Sequence, residues 1–290
     1  MRHTEMEPYE ATAEDLLAHD DIPFTLVADT EALDRRIARE IADLIARNNE
    51  AEDDTTLILP VGPLDYEYLA NICNRERLSL ADVTIYMMDE YLDDDGALLP
   101  ESHPLSFRAF MRESLVENLA GDLGLTMADV VFPDPDDPAA VTEELDAIDG
   151  VNACYGGFGI TGHFAFNDPP EPDEEMTAQD LAETRTRTLT ISRESTTQMA
   201  MGGTLGNWEL IPERAVTLGM YELLLSDRVH LTFMRNWHAG TLRRALLGPV
   251  TEQCPGSLLQ LHPDLRVTMT ELAARRPDPD ITQATGAEEG

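Results

Sequence analysis

The chain is 290 residues long and 42% hydrophobic, which suits a real core in roughly one or two domains. Its formal net charge is −36 and lysine is absent, so all 20 fixed cations are arginines; such a surface excludes general nucleic-acid binding. No run of about 18 apolar residues is present, which argues against a spanning helix, and no membrane partner is expected.

The acidity is spread along the chain, not gathered in one tail. It resembles the surface of a protein from a high-salt cytoplasm, and nucleotide bias in the source gives the same pattern. Either way, an anionic substrate must meet a locally positive pocket against an unfavourable overall field. The first 21 residues are acidic and lack the apolar centre of a secretion signal. Cys73, Cys154 and Cys254 are odd in number and far apart. They point to a reducing cytoplasm and to small buried side chains, not to a disulfide framework or zinc ribbon.

In chain order, residues 1–24 read as an arm with weak helical spacing around 13–18. A helix follows from Thr30, capped by Asp29 or Thr30, with Leu33, Ile37, Ile41, Leu44 and Ile45 on one face. Residues 55–60 form an apolar, β-branched strand, broken by Gly62-Pro63, and 65–74 the next helix. A second strand, 83–88, ends in Asp89-Glu90-Tyr91; a loop at 93–96 and an amphipathic helix at 106–119 follow. Residues 130–132 are a brief strand, 133–138 a loop and 141–148 a helix. The apolar run 151–155 is a buried strand that opens into a glycine-rich stretch, 156–169. Beyond the loop 169–175, residues 184–190 alternate Arg and Thr as an exposed or edge strand does, and 194–201 carry helical spacing. Residues 215–218 lead into Gly219 and the helix 221–225, then come a strand at 229–234 and a helix at 239–247. Segments 257–262 and 265–270 close the core.

The repeated strand, turn and helix predict an α/β fold: a Rossmann-like, mainly parallel sheet with helices on both faces. The expected division is an arm over 1–24, one domain over 25–273 and a disordered acidic tail over 274–290.

Four glycines in seven residues, Gly156 to Gly162, demand a loop in which backbone approaches backbone or ligand closely. His163 and Asp168 follow, near enough for the carboxylate to orient the imidazole if the loop folds back. The bland alternative for Asp168 is a turn before Pro169. Asp89, directly after an apolar strand, is placed to be a general base moving a proton from a carbon beside a carbonyl; a helix cap is about equally compatible with its position. Glu90 should point the other way and not share that role. His230 and His262 sit among apolar residues and read as structural. Ser195, Thr196 and Thr197 lack a Gly-x-Ser-x-Gly frame, which disfavours a serine hydrolase. No His, Cys and Asp cluster has metal spacing. Gly157-x-Gly159-x-x-Gly162 matches the dinucleotide fingerprint formally, but His163 stands where its helix should already run. Neither cofactor nor metal is expected.

These residues together resemble the glucosamine-6-phosphate deaminase/isomerase family. Its signature Gly-x-Gly-x-Asp-Gly-His-Ile-Ala-Phe-Asn-Glu-Pro is met at residues 157–169, with Gly157, Gly159, Gly162, His163, Ala165, Phe166, Asn167 and Pro169 kept. Met88-Asp89-Glu90-Tyr91, Ala215-Val216-Thr217-Leu218-Gly219 and Leu259-Gln260-Leu261-His262-Pro263 agree in order and spacing, so the likeness runs over about residues 30–273. The resemblance implies a sugar-isomerase sheet shared with lactonases, and conversion of a 2-amino-2-deoxyaldose to a ketose with loss of ammonia. It implies Asp89 as enolisation base and His163 in ring opening. Asp168 stands where the family has Glu. Gly62, Asp65, Glu90, Gly159, Thr161 and Gly162 are then the expected substrate-binding positions. The partner it implies is a small sugar or sugar phosphate in the cytoplasm; homo-oligomers are common in the family.

The departures lie at the anion site and beside the histidine. Thr161 replaces the family's Asp and can hydrogen-bond but carries no charge. The phosphate loop reads Leu59-Pro60-Val61-Gly62-Pro63-Leu64-Asp65; it lacks both hydroxyl side chains, Pro63 removes an N–H, and Asp65 adds negative charge. The family's phosphate-binding arginine falls near Met199 and its lysine near His238, with Arg193 or Arg235 as substitutes. The alternatives left open are a non-catalytic sugar-binding or regulatory relative and an isomerase for a non-phosphorylated sugar. Met88-Asp89-Glu90-Tyr91 disfavours a lactonase.

Overall fold

A computed structural model describes residues 7–62, 64–148 and 150–279. Its strands are β1 (Phe24–Val27), β2 (Thr55–Leu59), β3 (Val83–Met87), β4 (Asp89–Leu92), β5 (Val130–Val131), β6 (Ala153–Gly156), β7 (Arg187–Thr190), β8 (Arg214–Thr217), β9 (Val229–Phe233) and β10 (Leu265–Thr270). Its helices are α1 (Ala13–Leu17), α2 (Thr30–Ala51), α3 (Glu67–Glu76), α4 (Phe107–Ser114), α5 (Ala139–Ala147), α6 (Ala178–Ala182), α7 (Arg193–Gly203), α8 (Met220–Leu224), α9 (His238–Leu247) and α10 (Glu271–Ala274).

Seven strands form one parallel sheet in the order β1-β10-β9-β6-β2-β3-β5. Side-chain alternation divides its core in two. Leu57 and Leu59 face Leu33, Ile37, Ile41 and Ile45 of α2, while Ile58 joins Cys154, Leu231 and Val267 on the other side. Both faces are covered, as a parallel sheet of continuous apolar strands requires. Helix α2 starts where the Asp29 side chain accepts from Ala32 N, and stops at Glu52 in the left-handed region (φ 60). Each of its buried Leu and Ile side chains contributes roughly 1.5–3 kcal/mol.

The parallel Rossmann-like sheet was legible in the sequence, but its accompaniment was not. Residues 89–92, 187–190 and 214–217 form a separate antiparallel sheet in the order β4-β8-β7, with Asp89 opposite Thr217. The strand expected at 83–88 therefore ends at Met87, and Asp89 begins a new one. The helix expected at 106–119 stops at Ser114 and gives way to a 3₁₀ turn, Val116–Asn118; of the stretch 257–262, all but His262 lies within a 3₁₀ helix, Pro255–Leu261. Strand β1 was not anticipated; its four residues are too few to show a period beside an acidic segment.

The stretch read as an arm packs on the body. Leu16 and Ile22 are buried in the main core. The fully buried Arg243 donates to the carbonyls of Ala11, Ala239 and Ala274, which ties this segment to α9 and α10. The tail expected from 274 is described to residue 279, where Arg276 pairs with Glu10 and Asp278; residues 280–290 lie outside the described part. Among the described residues no helix is long and apolar enough to cross a membrane.

Candidate active site

Met88 is the single residue between β3 and β4, which lie in different sheets. Its N–H donates to Leu59 O (3.1 Å) and its carbonyl accepts from Leu218 N (2.7 Å), so the backbone is clamped on both sides. Asp89, the next residue, lines a cavity of about 410 Å³ together with Gly62, Gly159, His163, Arg235 and His238. Asp89 is only 9% exposed, and among the described residues no group hydrogen-bonds to its carboxyl. Burial, and secondarily the charge of Glu90, push its pKa up to about 8.

Glu90 points away, as alternation requires. It is fully buried and accepts from Tyr91 N, Phe107 N and Arg108 N and from Ser106 Oγ, at the start of α4. An anion there is favoured by the orphan amides of the helix start. The sequence placed Glu90 at the substrate; it does not line the cavity, because the helix start takes up its carboxylate. Asp65 was also expected at the substrate. It is exposed, its Oδ1 accepts from Glu67 N (2.9 Å) at the start of α3, and it too lies outside the lining.

The glycine loop holds His163 from behind. Its ring lies on the backbone of Gly159, where an added Cβ would sit 2.0 Å from Nε2; only glycine leaves room. Gly162 has φ +85 and faces Cys254 Sγ, so it shapes the turn and is not part of the cavity wall. Asn167 fixes the return of the chain: its Nδ2 donates to Phe164 O and Leu218 O, and its Oδ1 accepts from Arg187.

That return brings Asp168 Oδ1 within 3.0 Å of His163 Nδ1. The carboxylate, one methylene shorter than the family's Glu, reaches the imidazole. Thr161 Oγ1 donates to Asp168 Oδ1 (2.7 Å), accepts from His163 N (3.2 Å) and lies 3.1 Å from Nδ1. Ser195 Oγ sits 2.8 Å from Nδ1 and 2.8 Å from Asp168 Oδ2. Burial works to raise the Asp168 pKa, but hydrogen bonds and charge from His163, Thr161 and Ser195 outweigh it and hold the carboxyl below its usual value. With Asp168 as carboxylate, Nδ1 is the donor and Nε2, above Gly159 at the cavity, is left to exchange a proton.

Ser195 was set aside on the sequence because it lacks a nucleophile frame. The structure brings it to the histidine, yet not as a nucleophile. It is fully buried and meets the same ring nitrogen as Asp168, whereas a Ser-His-Asp triad uses opposite nitrogens. No sequence spacing joins position 195 to 163; only the packing of α7 over the loop does so.

At the far side, Arg235 is the single arginine in the lining, while Arg193 is exposed on α7 outside it. Met199, where the resemblance expects an arginine, lines the cavity. His238 accepts from Met234 N (3.0 Å) and Arg235 N (3.1 Å) through Nδ1. Burial, then the Arg235 charge, lower its pKa to about 3, so it is a neutral ring whose Nε2–H is a donor. Gly62 stands in the wall with nothing within 4 Å of its side-chain position, so its backbone is open to a ligand. Among the described residues no group of three or more His, Cys, Asp and Glu side chains is placed to hold a metal.

No protein-family model matches the chain. It is 30% identical over 262 residues to the glucosamine-6-phosphate deaminase of Streptomyces coelicolor, covering 87% of this chain and 91% of that one. It is also 30% identical over 258 residues to the enzyme of the same name from Rhodopirellula baltica, covering 87% and 95%. Among solved structures, a monomeric glucosamine-6-phosphate deaminase superimposes with a TM-score of 0.73 at 24% identity, over 87% of this chain and 98% of that one. A 6-phosphogluconolactonase from Shewanella baltica shares the fold at a TM-score of 0.59 and 17% identity, over 87% and 98%.

Proposed function

We propose an amino-sugar phosphate as substrate from this premise: the chain belongs to the glucosamine-6-phosphate deaminase family. The reaction we assign is isomerisation of a 2-amino-2-deoxyaldose 6-phosphate to the ketose with release of ammonia. The observation that carries the reading is the Asp89 carboxyl, without a hydrogen-bond partner among the described residues and buried in the cavity that a rear-clamped imidazole also lines.

In this mechanism Nε2 of His163 takes the proton of the anomeric hydroxyl and returns it to the ring oxygen, which opens the sugar. Asp89 then acts as base. It takes the proton from C2 and delivers it to C1 while one proton of the substrate's ammonium passes to O1, so the aldehyde becomes the alcohol and C2 becomes an iminium. Water adds at C2 and ammonia leaves, giving the ketose. A pKa near 8 suits this role, because a base works best when its pKa lies near the working pH. The ammonium of the substrate favours the ionised carboxylate at the moment it is needed.

Arg235 and the Nε2–H of His238 provide the anion end, in the cavity that Gly62 also lines. One guanidinium and one neutral donor are a lean phosphate site. This favours a second reading, in which the sugar is not phosphorylated. Ammonia release from glucosamine 6-phosphate and from glucosamine separates the two. The first reading requires a kcat/KM at least tenfold higher for the phosphate, and turnover of neither sugar would refute both and leave a binding protein.

A further inference from the structure

A second concavity, of about 850 Å³, lies on the outer side of α2, beside the starts of β9 and β10 and away from the catalytic cavity. In a chain of net charge −36 it collects six of the 20 arginines: Arg35, Arg36, Arg39, Arg47, Arg228 and Arg266. Only Glu40 and Asp43 oppose them in the lining.

The carboxylates nearby do not use up this charge. Arg35 pairs with Glu31, and Arg39 with Asp43 and Glu76. Arg228 and Arg266 share one partner, Asp264, at 2.9 and 2.8 Å. Arg36 reaches only Thr25 Oγ1, at 3.5 Å, and Arg47 has no hydrogen bond or ion pair among the described residues. Glu40 turns inward: it accepts from Tyr155 OH (3.3 Å) and pairs with His230 Nδ1 (2.9 Å), whose Nε2 meets Thr268 Oγ1 (2.9 Å). Its hydrogen bonds are made beneath the trough, and of Arg36, Arg47, Arg228 and Arg266 it has an electrostatic interaction with Arg228.

Arg36 and Arg47 are eleven residues apart, three turns of α2, so they share one face with roughly 16 Å between their backbones. A single phosphate does not bridge that span, whereas an oligophosphate draws on both ends and on the Asp264-shared pair. Guanidinium forks match phosphate oxygens in geometry and charge. We infer that this trough is a binding site, separate from the catalytic cavity, for a small molecule carrying two or more phosphates, with Arg36, Arg47, Arg228 and Arg266 as its contacts. The inference does not rest on the proposed reaction.

The test is calorimetric titration of the full chain with inorganic tripolyphosphate at fixed ionic strength. Saturable binding is expected. The double variant Arg36→Gln/Arg47→Gln should weaken it at least tenfold with turnover and Tm unchanged, because both side chains are exposed. Arg235→Gln, in the catalytic cavity, should leave it intact. The inference is overturned if the wild type shows no saturable binding, if the double variant binds as tightly, or if Arg235→Gln abolishes the signal.

Discussion

Replacing Asp89 by Asn should abolish turnover and stabilise the fold at the same time. Folding raises the carboxyl from the ordinary 3.8 to about 8. Four units at about 1.36 kcal/mol each set a ceiling on the order of 6 kcal/mol for the cost of ionising it in place. The sign follows from proton counting. Between pH 3.8 and about 8 the folded state holds a proton on Asp89 that the unfolded state has lost, so stability falls as pH rises through that window. Asn has no proton to lose. From pH 5.5 to 7.5 the wild type should therefore lose about 2.7 kcal/mol relative to Asp89→Asn. For a chain of this size that is roughly 5–10 °C in Tm. Thermal unfolding of both proteins across this range, at fixed ionic strength, measures it. Parallel Tm curves would refute the burial argument, and full ammonia release by the variant would refute the base assignment. Each half can fail alone.

Three further outcomes test the rest of the site. Gly159→Ala should lower turnover at least a hundredfold, since its Cβ would lie 2.0 Å from His163 Nε2; a shift of the His163 ring signals by NMR would accompany it, and an unmoved ring with normal rate would contradict the packing. Ser195→Ala removes a donor to Asp168 and should reduce kcat about tenfold, at a stability cost of roughly 1–2 kcal/mol, with KM little changed. Arg235→Gln should raise KM for glucosamine 6-phosphate at least tenfold while leaving KM for glucosamine alone, because it removes the single arginine in the lining.

The legible part of the molecule was the part encoded by short-range pattern. The apolar runs at 55–59, 83–87 and 229–233 became adjacent or near-adjacent strands, and Asp89, Gly62, Gly159 and His163 were brought to one cavity. The antiparallel sheet was not legible, because β4 follows β3 after one residue and reads as its continuation. Glu90 and Asp65 were placed wrongly for a related reason: a carboxylate beside a functional residue looks the same in sequence whether it meets substrate or a helix start. Ser195 was missed because its partners lie 27 and 32 positions away and no local period links them.

The replacement of the family's acid at Thr161 looks, in sequence, like a loss of charge beside the imidazole. In three dimensions Thr161 and Ser195 both donate to Asp168, so two hydroxyls add to His163, the larger influence, in holding the carboxylate ionised against its burial. An acid could not simply be put back. Thr161 Oγ1 lies 2.7 Å from Asp168 Oδ1, and two carboxylates at that separation cannot both ionise near neutral pH; they share a proton. Thr161→Asp should therefore slow turnover about tenfold or more at pH 7 instead of raising it, and recover part of the loss toward higher pH as the shared proton leaves. The pH–rate profile decides this. A Thr161→Asp enzyme faster than the wild type at pH 7 would show that the hydroxyl pair is a handicap, and that charge at this position, not hydrogen bonding to Asp168, limits the reaction.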